Sequence, residues 1–133
     1  MNAKELRQFA EDYTAAWCSM DPARVAAHYA RTGSLAINGG PPAVGRDSIT
    51  ATASGFYAAL PDMQVFMDDL VIDSDRIEYH WTFTGRNTGP GGTGNAVRVV
   101  GYEAWLIGDD GLIAAPSGHY DAAEYARQLE RGV

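Results

Sequence analysis

The sequence predicts an α+β domain in which helices pack on one curved antiparallel sheet. Three observations carry this reading. Apolar residues recur at spacings of three and four as far as Leu60. After Pro61 apolar and polar residues alternate, a pattern that runs to Tyr120. Helical spacing then returns from Ala122 to Glu130, where Tyr125 and Leu129 share a face. With 133 residues the chain fits one domain spanning 1–133, able to bury about two-thirds of its unfolded surface.

Each element has its own local reason. Leu6, Phe9, Tyr13, Ala16 and Trp17 make a broad apolar stripe on a first helix over 3–18. Asp21 is a good N-cap, Pro22 suits the first helical position, and Gly33 is the expected stop of a second helix carrying Val25, His28 and Tyr29. Residues 34–38 read as a short strand, closed by Gly39-Gly40-Pro41-Pro42. Asp47 or Ser48 is the expected cap of a third helix with Ile49, Ala53, Phe56, Tyr57 and Leu60. Strands follow over 64–72, 77–85, 96–107 and 112–120. Asp73-Ser74-Asp75 and Asp109-Asp110-Gly111 provide tight turns, and a glycine-rich loop covers 87–94.

Composition excludes several classes. Ten Lys+Arg against 17 Asp+Glu give a formal charge of −7, so nucleic acid and anionic membranes are not expected partners. No stretch approaches the roughly 20 apolar residues of a membrane span. The single cysteine, Cys18, cannot close an internal disulfide and reads as a buried or half-buried structural thiol, and a cytoplasmic protein is the expectation. Residues 61–79 carry −5 of the net charge, which marks a solvated hairpin end. There, consecutive Asp68 and Asp69 are expected on opposite strand faces.

Gly89-Pro90-Gly91-Gly92-Thr93-Gly94 satisfies G-x-G-x-x-G, but a strand follows where a dinucleotide site needs a helix N-terminus. His28, His80 and His119 lie far apart in sequence with no zinc-type spacing, and no metal site is expected. His80 alternates with Tyr79 and Trp81 on its strand, either as a surface residue or as part of a site. His119 and Asp121 share one face of the last strand, where a carboxylate can orient an imidazole for acid–base work. Asp121 is equally well placed to cap the closing helix. The 11% aromatic content serves either a plain core or the walls of a cavity.

Five segments occur in an order that resembles the SnoaL-type polyketide cyclases of the nuclear-transport-factor-2-like superfamily, whose fold is a cystatin-like cone. They are Gly45-Arg46-Asp47-Ser48-Ile49, Phe56-Tyr57-Ala58-Ala59-Leu60-Pro61-Asp62, His80-Trp81-Thr82-Phe83-Thr84-Gly85, Asp110-Gly111-Leu112-Ile113, and His119-Tyr120-Asp121 before Arg127-Gln128-Leu129. The resemblance covers nearly the whole chain. It implies a sheet wrapped around the N-terminal helices and a polar group inside an apolar cone. It places Asp121 where these enzymes have a functional acid, and His80 where related epoxide hydrolases have a strand acid. The chain departs from the hydrolases' Asp-Arg-Asp arrangement and has Arg86 where a threonine is usual, which disfavours their reaction.

The expected activity is therefore acid–base chemistry on a small apolar carbonyl compound without cofactor, as in a cyclase or isomerase. Asp121 is the expected base, with His80 and His119 as acid or orienting groups. The expected ligand contacts are Tyr13, Trp17, Tyr29, Asn38, Phe56, Tyr57, Trp81 and Tyr102, with His80, Tyr102 or Asn38 as enolate donor. The alternative is a non-catalytic small-molecule-binding or dimerisation module of the same fold; a partner subunit with a filled interior is a third. Both faces of strand 96–107 are largely apolar, which predicts a homodimer through the sheet.

Overall fold

A computed structural model describes residues 1–74 and 76–133. Asp75, the end of the expected Asp73-Ser74-Asp75 turn, lies outside the described residues. The order is α1 (Ala3–Cys18), α2 (Pro22–Ala26), β1 (Ser34–Ile37), β2 (Ala43–Val44), α3 (Arg46–Ala59), β3 (Gln64–Asp73), β4 (Arg76–Arg86), β5 (Ala96–Trp105), β6 (Ser117–Tyr120) and α4 (Ala122–Arg131). The six strands form one sheet in the order β2-β1-β6-β5-β4-β3. The sheet is antiparallel except where β1 pairs parallel with β6. No helix among the described residues is long and apolar enough to cross a membrane.

Local chemistry explains the first elements. Asn2 and Glu5 form a reciprocal capping box at the start of α1, which buries Leu6, Ala10, Tyr13 and Ala16. Asp21 caps α2 through the Ala23 amide, with Pro22 in the first turn. That helix is shorter than expected and ends at Ala26, because Tyr29 leaves it to bridge Ile113, a residue distant in sequence. α3 starts at Gly45 without a side-chain cap, so neither Asp47 nor Ser48 has the expected role.

Three further expectations are corrected. The strand expected over 112–120 reduces to β6, because Ile113 makes only isolated bridges to Tyr29 and Ile107 and Pro116 has no amide hydrogen to donate. Cys18 is exposed, although its thiol still donates to the Val65 carbonyl at 3.2 Å. A bulge between Met67 and Asp69 adds a residue to β3. It breaks the alternation, so Asp68 accepts from Thr82 at 2.5 Å while Asp69 sits opposite His80, and both lie on the same side of the sheet.

The registers of β4, β5 and β6 fix the two sheet faces. Tyr79, Trp81 and Phe83 lie opposite Glu103, Gly101 and Val99, and Glu103 and Gly101 in turn oppose Gly118 and Tyr120. This set faces the helices. Gly101 is required there, since a Cβ would stand 2.6 Å from the Trp81 ring and 2.5 Å from the His119 carbonyl. Gly55, in the middle of α3, has no such reason, because a Cβ there meets nothing within 4 Å. Gly55→Ala is therefore expected to stabilise the fold by roughly 0.5–1 kcal/mol, read as a raised denaturation midpoint in urea.

Candidate active site

Between the concave face of the sheet and the helices lies a partly open apolar cavity of about 60 Å³. Tyr79, Trp81 and Phe83 of β4 form its floor, together with Gly118 and Tyr120 of β6. Trp17, Thr52 and Phe56 come down from the helices, and Leu35 and Ile37 close the side. Within this lining Glu103 is the one ionisable carboxylate.

Glu103 occupies an inward position of β5 and is only 7% exposed. Its Oε1 accepts from the Tyr13 hydroxyl at 3.0 Å and the Tyr29 hydroxyl at 3.1 Å, with the Trp105 indole N–H at a long 3.5 Å. Its Oε2 has only the Tyr13 hydroxyl, at 3.2 Å. One oxygen is thus crowded with donors and the other keeps an open lone pair. The two phenols also touch each other, with oxygens 2.7 Å apart.

This arrangement is held from several directions. Tyr13 sits on the buried stripe of α1. Tyr29 is fixed through its backbone, which bridges Ile113 and whose carbonyl accepts from Arg46 Nε at 3.0 Å. Trp105 stacks on Tyr79 at 4.9 Å between centroids and meets Tyr13 edge-on. Thr14 spends its own proton on the Ala10 carbonyl, so Tyr79 must donate its hydroxyl to Thr14 Oγ1, 2.6 Å away, and its phenol is engaged away from Glu103.

Among the described residues no cation pairs with this carboxylate, and burial decides its protonation. Desolvation pushes Glu103 up from 4.5 to about 7, against the smaller opposing effect of the hydrogen bonds from Tyr13, Trp105 and Tyr29. Burial first, and the Glu103 charge second, drive Tyr13 and Tyr29 well above the ordinary phenol value. Both phenols therefore remain donors. Glu103 is poised to gain or lose a proton near neutral pH, as a general acid–base group must.

The residues expected from sequence to act lie elsewhere. Asp121 is the N-cap of α4, its Oδ1 accepting from the Glu124 amide at 3.0 Å, and it does not line the cavity. His80 and His119 project from the opposite face of the sheet, where Tyr102 stacks between them at 5.4 and 4.7 Å. There His80 pairs with Glu78 at 3.1 Å, and His119 with Ser117 at 3.1 Å. The reason is strand parity: the partners His80, Tyr102 and His119 are each one residue out of step with the inward set.

Of the expected ligand contacts, Trp17, Phe56 and Trp81 line the cavity. Tyr13 and Tyr29 stand behind Glu103. Tyr57 is tied to the Trp17 carbonyl at 2.7 Å, and Asn38 receives the Tyr120 amide at 2.9 Å, so neither contributes to the lining. Tyr102 is on the outer face. Sequence reasoning missed Glu103, although a signal was present: it is the single charge on the stripe Val97, Val99, Gly101 and Trp105.

A six-stranded sheet curved around N-terminal helices is a nuclear-transport-factor-2-like, ketosteroid isomerase-like fold. Residues 10–115 match the SnoaL-like domain family, and the chain belongs to it. No curated protein matches the sequence at a significant level. Among solved structures, TsrD from Streptomyces laurentii is 25% identical, covers 97% of each chain and superposes with a TM-score of 0.83. A Catenulispora acidiphila protein with a ketosteroid isomerase-like fold, in complex with trimethylamine, is 16% identical over 91% of each chain, with a TM-score of 0.79. TerC, co-crystallised with polyporic acid, is 12% identical over 95% of this chain and 98% of its own, with a TM-score of 0.76.

Proposed function

We propose that the protein is a cofactor-independent acid–base enzyme of the isomerase or cyclase type, acting on a small apolar carbonyl compound, and that Glu103 moves the proton. The observation that carries this reading is a buried carboxylate in the lining of an otherwise apolar cavity, with a single hydrogen bond on its Oε2. In the ionised form Oε2 takes a proton from the carbon next to the substrate carbonyl. The C–H electron pair becomes the carbon–carbon double bond of an enolate, and the charge passes to oxygen. Glu103, now a neutral acid, returns the proton to the same carbon or to another. The phenols of Tyr13 and Tyr29 keep the carboxyl in one orientation throughout, and the apolar walls exclude competing water.

The test needs no knowledge of the natural substrate. Acetophenone in heavy water exchanges its methyl protons through its enolate, which nuclear magnetic resonance follows directly. The protein should accelerate this exchange, Glu103→Gln should lose the acceleration, and Asp121→Asn, which keeps a capping side chain, should retain it. Retention by Glu103→Gln together with loss in Asp121→Asn would overturn the assignment. A cone that only binds ligands would accelerate nothing, which would favour the non-catalytic reading.

The outer face supports a homodimer through the sheet as a second part of the proposal. Phe66 and Val100 flank Thr82 across adjacent strands and remain 47% and 58% exposed. Beside them runs the His80–Tyr102–His119 stack. A second copy covers such a face by presenting the same patch about a two-fold axis. Light scattering at micromolar concentration should give twice the chain mass, and Val100→Lys should give a monomer; a monomeric wild type would overturn the dimer.

A further inference from the structure

We infer that association of two copies through the outer sheet face takes up protons on His80 and His119, so that acidification tightens the dimer. This rests on the reading of that face as the dimer contact and adds a regulation to it. Of the three histidines, His28 packs on the helix side, edge-on to Phe9 and Tyr13 of α1. His80 and His119 instead flank Tyr102 on the outer face, their rings tilted only 27° and 24° from its plane. The three residues form one row across β4, β5 and β6. A partner sheet seated on Phe66 and Val100 therefore covers this row as well.

The same face is acidic. On β3, Asp69 stands opposite His80, Asp68 accepts from Thr82, and Asp73 faces Arg76 at the strand end. On β4, Glu78 Oε1 lies 3.1 Å from His80 Nε2. On β5, Arg98 stands opposite Thr84, beyond Val100. On β6, Ser117 Oγ lies 3.1 Å from His119 Nε2, and Asp121 follows at the rim as the cap of α4. The neighbouring β1, Ser34–Ile37, brings no charge. Among the described residues the face thus sets five carboxylates against two guanidiniums. A two-fold contact lays this face on itself, and like charges brought together oppose association. A proton on each imidazole offsets most of the excess.

The Glu78–His80 pair gives the coupling a local cause. Its side chains are 36% and 35% exposed in the single chain, so a partner still has water to remove from them. Covering the carboxylate beside a neutral imidazole strands a charge in the contact. Covering it beside an imidazolium buries a balanced, hydrogen-bonded pair. Tyr102 adds to this, because an aromatic face attracts a cation stacked on it. Imidazole is the side chain that ordinarily changes charge between about pH 5 and 8. A contact that binds protons in this interval tightens as pH falls through it.

Sedimentation equilibrium at constant ionic strength measures the effect at about pH 6 and about pH 8. The wild-type Kd is expected to be roughly tenfold lower at the acidic value, which an average uptake of about half a proton per dimer gives over that interval. The double variant His80→Gln, His119→Gln should lose the dependence. Glu78→Gln should associate more tightly than wild type at the alkaline value and change less between the two. Glu103→Gln should keep the full dependence, which separates the outer face from the acid inside the cone. A wild type that dimerises equally at both values, or more weakly at the acidic one, would overturn the inference and leave the dimer standing. A monomer at both would overturn the dimer and the inference together. Full dependence in the double variant would overturn the assignment to these two histidines.

Discussion

Replacing Glu103 by glutamine is expected to slow enzyme-promoted exchange of acetophenone protons by roughly 10²- to 10⁴-fold, the range that a positioned acid–base group supplies. The substitution is close to isosteric. The amide oxygen can still accept from Tyr13 and Tyr29, and the amide N–H can donate to the Tyr13 hydroxyl that Oε2 now faces at 3.2 Å. The cavity and its walls are therefore preserved. What disappears is the ability to take a proton near neutral pH. A loss of exchange in a variant that stays folded is the result that identifies Glu103 as the proton-moving group. An unchanged exchange rate would assign the Glu103–Tyr13–Tyr29 cluster to folding alone.

The same carboxyl is expected to make stability depend on pH, in the direction opposite to an ordinary ion-paired acid. Burial raises Glu103 from 4.5 to about 7, so between those values the folded state holds a proton that the unfolded chain has released. The stabilising contribution is complete below about pH 4.5 and is lost as pH rises through about 7. The shift corresponds to a fall of about 3 kcal/mol across that window, an order-of-magnitude figure. Glu103→Gln cannot ionise and should abolish this component. Urea unfolding at about pH 5 and about pH 8 measures both proteins: the wild type loses stability between them, and the variant is the more stable of the two at the higher value. A wild-type curve parallel to that of Glu103→Gln would show that the buried carboxyl does not titrate there. The cost of keeping an unpaired carboxylate inside the cone is what a functional site is expected to show.

Much of the fold was legible because its causes are local. The Leu6–Trp17 stripe defines α1 and Asp21-Pro22 starts α2. The change of period after Pro61 marks where helices give way to the sheet, and the strand after Gly94 removes any dinucleotide reading of the glycine loop. The elements that differed did so for non-local reasons. α2 stops early because Tyr29 is claimed by Ile113, eighty-four positions along the chain. Asp68 and Asp69 share a side because a bulge in β3 interrupts an alternation that spacing alone predicts. The Asp47 or Ser48 cap is displaced because α3 begins at Gly45, whose amide donates to the Gly33 carbonyl at 2.8 Å.

The site was less legible than the fold. Period-two alternation sorts a strand into two sets but does not say which set faces inward, and His80, Tyr102 and His119 belong to the set that faces out. Asp121 has two chemically sound uses in sequence, and the position of the Glu124 amide shows it capping α4. Glu103 shares a strand face with the apolar Val97, Val99 and Trp105, and its neighbours Tyr13 and Tyr29 are 90 and 74 positions away.

By itself, then, the sequence determined the α+β order, the family resemblance and an interior built from aromatic side chains, since these follow from periodicity, capping and residue type. Only the tertiary structure decided which face of the sheet is the inside. That choice depends on how the helices pack across strands distant in sequence, and it moves the candidate chemistry from a histidine–aspartate pair to one buried glutamate held by two phenols.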